Sequence, residues 1–464
     1  MGNGNAVDSV VQDLRNLVDA AAPGARLPSV RELTARHHAS PVTVAAAIRQ
    51  LVAEGLIETR SGRGTFVASR PAQRSAPDLS WQTVALGPGR PGEEEMQALL
   101  ALPPAGAIPL SGGYLEPNLQ PAGALGAALA RAARQPSSWE RGPAEGRGDL
   151  RAWFAREAGT GLRPDDMVIC PGGQAALSST LRALSTPGDT LLVESPTYLG
   201  ALAAARAAGL RVVPVPADVD GVRPDQLAVA FARTGARLFY CQPLYANPHG
   251  ATLAVQRRAA VAAEVRAAGA FLIEDDYARD LAIDGDPPPP LAADDPDGHV
   301  IYLRSLTKSA APGLRVAAIG ARGPAGARLR AARLFDDLFV AGPLQQATLE
   351  FVTAPAWVRH RRTLRNELRS RREALLSALA RHLPSLTPQG VPRGGLHLWV
   401  RLPDGTDDVA LTAAAAAAGV IVFPGRPWYA AEAPAPHLRL TYAAAPAELM
   451  DEAVRRLAVA LGRP

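Results

Sequence analysis

Hydrophobic positions along the first 70 residues recur at helical spacing and then alternate, whereas beyond residue 108 they gather into short continuous runs. Ser29-Val30-Arg31-Glu32 reads as a capping box, in which the serine and the glutamate three residues on satisfy each other's backbone amides and open a short helix. Ser40 caps a second helix and Pro41 suits its first turn. Val44, Ile48 and Leu51 share one face until Gly55 ends it, which leaves Thr43, Arg49 and Gln50 facing outward. Leu56-Ile57-Glu58-Thr59 and Thr65-Phe66-Val67 alternate on either side of Arg60-Ser61-Gly62-Arg63-Gly64, which predicts a β-hairpin with an arginine-bearing, glycine-rich tip.

Two helices and such a hairpin make a winged helix-turn-helix over residues 1–70. Residues 71–107 are punctuated by Pro71, Pro77, Pro88, Pro91, Pro103 and Pro104, with a short helix at 93–102, and read as a linker that partly docks. Over 108–464, apolar runs at 167–170, 190–193, 211–214, 237–241, 271–274 and 300–303 alternate with Ala/Leu/Arg helices, the pattern of a mainly parallel sheet wrapped by helices. No internal repeat is visible.

Composition changes this picture in two places. A chain of 464 residues exceeds one hydrophobic core, and 47% hydrophobic with 20% charged residues excludes a wholly disordered protein. The longest apolar run, 409–423, is mostly alanine and too short to span a membrane, and no signal-peptide pattern opens the chain, so a cytoplasmic protein without a membrane partner is expected. Cys170 and Cys241 end apolar runs and read as buried and inert; no metal site is expected. A net charge of +5 permits contact with nucleic acid without establishing it. The second change is more specific: of 49 basic residues, Lys308 is the only lysine. Arginine stays protonated and forms no imine, whereas a lysine amine can shed its proton and attack an aldehyde, so a single surviving lysine is a candidate for amine chemistry. A surface lysine that happens to remain is the competing reading.

The polar residues of interest follow the carboxyl ends of the apolar runs, where open α/β sheets bind ligands. Pro171-Gly172-Gly173-Gln174 leads into a helix whose free amides can cradle a phosphate, or is simply a turn. Tyr198 can lie on a heteroaromatic ring or pack ordinarily. Asn247 can meet a phenolic oxygen or shape a turn. One of Glu274, Asp275 and Asp276 can pair with a protonated pyridine nitrogen. Ser305-Leu306-Thr307-Lys308 and Pro312-Gly313-Leu314-Arg315 bring hydroxyls, the lysine and an arginine into one connection. Lysine for an aldehyde, and Ser305, Thr307 and Arg315 for a phosphate, point to pyridoxal 5′-phosphate (PLP) held as a Schiff base.

At these residues the chain resembles a class I aminotransferase of PLP fold type I. With Leu27-Pro28-Ser29-Val30-Arg31-Glu32-Leu33 and Ser61-Gly62-Arg63-Gly64-Thr65-Phe66-Val67 included, it resembles the MocR-type branch of GntR-family bacterial regulators over nearly its whole length. The resemblance implies an N-terminal winged helix-turn-helix (α+β) joined to an α/β PLP-dependent transferase fold type I with large and small subdomains. It implies that Gly173 and Gln174 hold phosphate with Ser305 and Arg315, that Tyr198 stacks on the ring, that Asp275 pairs with its nitrogen, and that Asn247 and Tyr277 contact its oxygen. Arg439, in His437-Leu438-Arg439-Leu440-Thr441-Tyr442, matches the motif that binds a substrate carboxylate. Arg31, Thr43, Arg49 and the wing at Gly62 and Arg63 would face double-stranded DNA, with Ser40 at the start of the recognition helix. Two departures stand out: Pro41 where the family often has an arginine, and Arg141 where relatives place a tyrosine that reaches the partner subunit's phosphate.

The expected protein is a PLP-dependent, DNA-binding transcriptional regulator, a homodimer, sensing an amine, an amino acid or PLP itself. A working aminotransferase is the alternative.

Overall fold

The computed structural model describes residues 3–68, 77–87, 89, 92–159 and 161–462, with nothing said of the side chains of 3–5. Pro71, Pro88 and Pro91 of the expected linker lie outside the described residues. The chain divides into two units, Met1–Gly89 and Arg90–Pro464, which meet within the stretch read as linker.

The first unit holds three helices and a hairpin, one helix more than expected. Helices α1 (Asn3–Ala20), α2 (Val30–His37) and α3 (Pro41–Ala53) surround a small core of Val10, Leu14, Leu33, Val44, Ile48 and Leu51. The capping box of α2 is present in both directions, with the Ser29 amide donating to Glu32 at 2.7 Å. Ser40 caps α3 by accepting the Thr43 amide at 3.1 Å. Strands β1 (Ile57–Arg60) and β2 (Gly64–Val67) form the wing, closing at the pair Arg60↔Gly64, and the turn needs Gly62 at φ +71°. A short helix, α4 (Ser80–Leu86), follows.

The second unit begins with α5 (Glu93–Leu100) and β3 (Ile108–Pro109). Its central sheet comprises β4 (Met167–Cys170), β5 (Thr190–Ser195), β6 (Arg211–Asp218), β7 (Gly221–Val222), β8 (Leu238–Cys241), β9 (Phe271–Asp275), β10 (Val300–Ser305) and β11 (Ala317–Gly320), in the order β4-β11-β10-β9-β8-β5-β6-β7. β6, β5, β8, β9 and β10 run parallel, and β11 is antiparallel to both of its neighbours. All six expected runs are strands. They were readable because a strand covered on both faces is apolar throughout: β4, β8 and β10 are buried along their whole length. Helices including α6 (Ala122–Ala133), α7 (Gly148–Ala158), α8 (Gly173–Leu184) and α9 (Leu199–Ala207) contribute to the cores on its faces.

A smaller subdomain has its own core around a three-stranded antiparallel sheet of β12 (His397–Arg401), β15 (His437–Thr441) and β14 (Phe423–Pro424), packed by the long helix Pro355–His382. β13 (Val420–Ile421) pairs with β3 in parallel, so the segment entering the second unit is stitched to its last third. No helix among the described residues is long and apolar enough to cross a membrane.

Candidate functional site

One cavity of about 870 Å³ in the second unit is lined by Gly173, Gln174, Tyr198, Asn247, Asp275, Tyr277, Ser305, Thr307, Lys308, Arg315 and Arg439, so every expected cofactor and carboxylate residue meets in one place. It lies at the carboxyl ends of the parallel strands, where the side chains that leave each strand converge.

The anion-binding corner is built by close approach. Between β4 and α8, Gly172 has φ +109°, and a Cβ there would stand 2.4 Å from the Arg315 guanidinium. Arg315, itself left-handed at φ 49°, donates to the Pro171 carbonyl at 2.7 Å. A Cβ already comes within 3.3 Å of Ser305 at Gly173, so only small residues let α8 start this near the end of β10. The first amides of α8 have no intrahelical acceptor and carry the positive end of the helix dipole, beside an arginine and the Ser305 and Thr307 hydroxyls, which lie 3.0 Å apart. The Gln174 side chain is otherwise engaged, donating to the Gly200 carbonyl at 2.9 Å and accepting from the Tyr198 hydroxyl at 3.1 Å, which leaves its backbone amide for an anion.

The three consecutive acids are separated by their partners. Glu274 accepts the amides of Leu291 and Ala292 at 2.8 and 2.9 Å, and Asp276 accepts from the Tyr302 hydroxyl at 2.7 Å and from Arg279. Asp275 alone lines the cavity, its Oδ2 accepting from the Tyr240 hydroxyl at 2.6 Å and from Gln242 Nε2 at 2.8 Å. Burial raises its carboxyl above the usual range, while these two hydrogen bonds and nearby Lys308 favour the anion. A buried carboxylate held this way suits a cationic ring nitrogen. Among the described residues no group of acids, histidines or cysteines could hold a metal, and both cysteines are buried.

Lys308 Nζ sits 3.5 Å from the centre of the Tyr114 ring, and a Cβ at Gly113 would lie 3.5 Å from it. Burial, with Arg439 and Arg315 against it and Asp275 in its favour, brings the ammonium down to about 7. A neutral amine is therefore available near neutral pH. If Lys308 is the attacking group, the rate of aldehyde uptake should climb about tenfold per pH unit below 7 and flatten above it, because only the neutral fraction reacts. Stopped-flow absorbance with PLP checks this, and a rate still rising at pH 10 would contradict it.

Arg439 is 1% exposed, which removes the competing picture of a surface strand arginine. It stacks over Trp428 at 4.4 Å, donates to Asn247 Oδ1 at 3.3 Å and to the Ser111 carbonyl, and makes no ion pair among the described residues. Its Nε is buried without a partner, and burial pushes its guanidinium down to about 9. The Tyr277 hydroxyl donates to the Tyr245 carbonyl at 2.8 Å and remains an acceptor.

Sequence reasoning missed Tyr114, Gln242, His397 and the α5 residues Met96, Leu99 and Leu100, all of which line the cavity. Gln242 directly follows β8, so the strand-end rule applied one residue further would have found it. Tyr114 and α5 come from outside the strand ends and carry no such signal.

Residues 124–457 match the aminotransferase class I and II family model, which is most of the chain. The chain belongs to that family. Residues 6–67 of this aminotransferase-family protein match the gntR family of bacterial regulatory proteins, which makes the head a GntR-type domain and implies DNA binding. It is 28% identical over 442 residues to the uncharacterized HTH-type transcriptional regulator YdfD of Bacillus subtilis, covering 94% of this chain and 91% of that one. It is 26% identical over 411 residues to the probable rhizopine catabolism regulatory protein MocR of Rhizobium meliloti, covering 85% and 81%. Its second unit resembles the crystal structure of LysN, alpha-aminoadipate aminotransferase from Thermus thermophilus complexed with N-(5′-phosphopyridoxyl)-L-leucine, at TM-score 0.74 and 30% identity, covering 83% and 98%. The protein is thus a GntR-type regulator of the MocR kind, fused to an aminotransferase-like domain.

In the head, Arg31, Arg49, Gly62 and Arg63 are exposed, and the three arginines make no ion pair among the described residues. Thr43 is half-buried, and its hydroxyl lies 2.9 Å from that of Ser40, so these two side chains are partly spent on capping α3. Arg60, by contrast, is paired with Glu58 and lies over Phe66 at 4.7 Å.

Proposed function

We propose that this chain regulates transcription by binding double-stranded DNA through residues 1–70 and sensing an amine, an amino acid or PLP itself through PLP held on Lys308 in residues 108–464, with 71–107 as linker. The observation that carries this reading is Lys308 itself: an amine brought to about 7, enclosed with a buried carboxylate and an anion corner, on a chain that also carries a GntR-type head. The residues fit PLP. Asp275 would hold the ring nitrogen, Tyr198 the ring face, and Asn247 and Tyr277 the ring oxygen. The α8 amides of Gly173 and Gln174, with Ser305, Thr307 and Arg315, would hold the phosphate. PLP supplies an aldehyde and an electron-withdrawing ring. This chain's own work is to deprotonate Nζ, exclude water and offer Arg439 to a carboxylate.

A homodimer in the cytoplasm completes the reading. Arg141 is exposed and outside its own chain's cavity, as a residue serving a partner subunit's phosphate must be. In the head, Arg31, Arg49 and Arg63 supply charge toward DNA, with Thr43 at the start of the recognition helix; Ser40 and Gly62 position the helix and the wing.

Fluorescence anisotropy with DNA from upstream of its own gene, at fixed salt, with and without PLP and amines, tests the proposal. Specific binding that changes with ligand is the expected result, and no specific binding in any state would refute it. Arg49→Ala and Arg63→Ala should each weaken binding and reduce the salt slope by about 1 where a phosphate contact is lost. The complete lysine, acid and arginine set also favours a second reading, catalytic transamination. Sustained release of oxo acid from an amino-acid panel would support it.

A further inference from the structure

We propose that the effector is an α-amino acid with an apolar side chain, read by Met96 and Leu99 of α5; this rests on the functional reading above and narrows it. α5 lies in the stretch that joins head to body, yet its Met96 and Leu99 pack against a body cluster that includes Leu199, Trp399 and Trp428, and both line the cavity. No residue of α5 is fully buried, so its apolar face is left only half covered. A ligand side chain filling the cavity beneath it removes more of that surface from water, and a thioether adapts to varied shapes.

Charge makes the same point. Among the described lining residues the cations are Lys308, Arg315 and Arg439, and each has a place: amine, phosphate and one α-carboxylate. His397, the remaining titratable base, is held neutral by burial and by Arg439 and Lys308. A second carboxylate on the effector would be buried without a partner. A basic side chain fares no better, because Asp275 is the only acid among the described lining residues and is already bonded to Tyr240 and Gln242. Glu93 and Glu94 of α5 are exposed and do not line the cavity.

The test titrates the full-length, PLP-loaded protein with L-leucine, L-methionine, L-glutamate and L-lysine, reading cofactor absorption and tryptophan fluorescence. Leucine and methionine should bind at least about tenfold more tightly than glutamate or lysine, because an uncompensated buried charge discriminates more strongly than a methylene does. Met96→Arg should move the preference toward glutamate, and Leu99→Glu should move it toward lysine, each variant first shown to melt cooperatively. Tighter binding of glutamate or lysine by the unaltered chain, or an unchanged ranking in both variants, overturns the inference alone. Failure to take up PLP, or uptake with no response to any amino acid, overturns the functional reading together with it.

Discussion

Replacing Lys308 by alanine should leave a folded, DNA-binding chain that loses PLP on gel filtration and no longer answers to any amine. The argument is chemical rather than positional. Every other basic side chain in this protein is an arginine or a histidine, so no neighbouring primary amine can take over. Asp275, the α8 amides and Arg315 remain to bind the cofactor non-covalently, and the loss should therefore be of retention and responsiveness rather than of all affinity. Lys308→Arg sharpens the test, because it keeps the positive charge near Tyr114 and Asp275 but cannot form an imine. It should behave like the alanine variant in cofactor retention. Stability should change little in either, since Nζ makes no ion pair among the described residues and is already pushed toward its neutral form. Stoichiometric PLP after gel filtration, with a normal anisotropy response to effector, would remove Lys308 from the mechanism.

How far this protein could be read in advance depended on the environment of each segment. The parallel strands were legible because full burial makes them apolar at every position, and the ligand-bearing residues followed because each strand ends at the same edge. The antiparallel strand β11, Ala-Ala-Ile-Gly, is too short and too small-sided to stand out. In α1, Val10, Leu14 and Val18 recur at helical spacing, but aspartates, asparagines and glutamine crowd the other faces and no capping signal marks its start. Periodicity alone would have found it. The three acids at 274–276 could not be told apart by order along the chain, because their distinction lies in partners 15 to 30 residues away, such as Leu291 and Tyr302. The short helix α5 was anticipated, but nothing local indicates that Met96 and Leu99 reach a cavity built by residues far along the chain.

Arg439 should show opposite effects on stability and on ligand binding. In the absence of ligand its guanidinium is buried against Trp428 and Phe423, with one carbonyl, one amide oxygen and no carboxylate to compensate it. Taking a cation out of water without a full set of partners is costly, and the depressed proton affinity, to about 9, reports that cost. Arg439→Met replaces the charge with an apolar side chain that can fill the same space among the aromatic rings. The ligand-free protein should therefore become more stable, by about 1 kcal/mol or more, read as a rise in Tm. Binding of an α-amino acid should fall by about 100-fold or more, roughly 3 kcal/mol, because the ligand's carboxylate would then be buried without a counterion. An amine of the same skeleton lacking the carboxylate makes no use of Arg439, and its affinity should be nearly unchanged. Calorimetric titration with such a pair, alongside a melting curve, separates the two effects. Equal losses for amine and amino acid would mean that Arg439 shapes the cavity without recognising a carboxylate, and a lower Tm would mean that its bonds to Ser111 and Asn247 outweigh the buried charge. The opposed signs are what a site assembled for an absent anion requires: the fold tolerates an unpaired cation because the ligand supplies its partner.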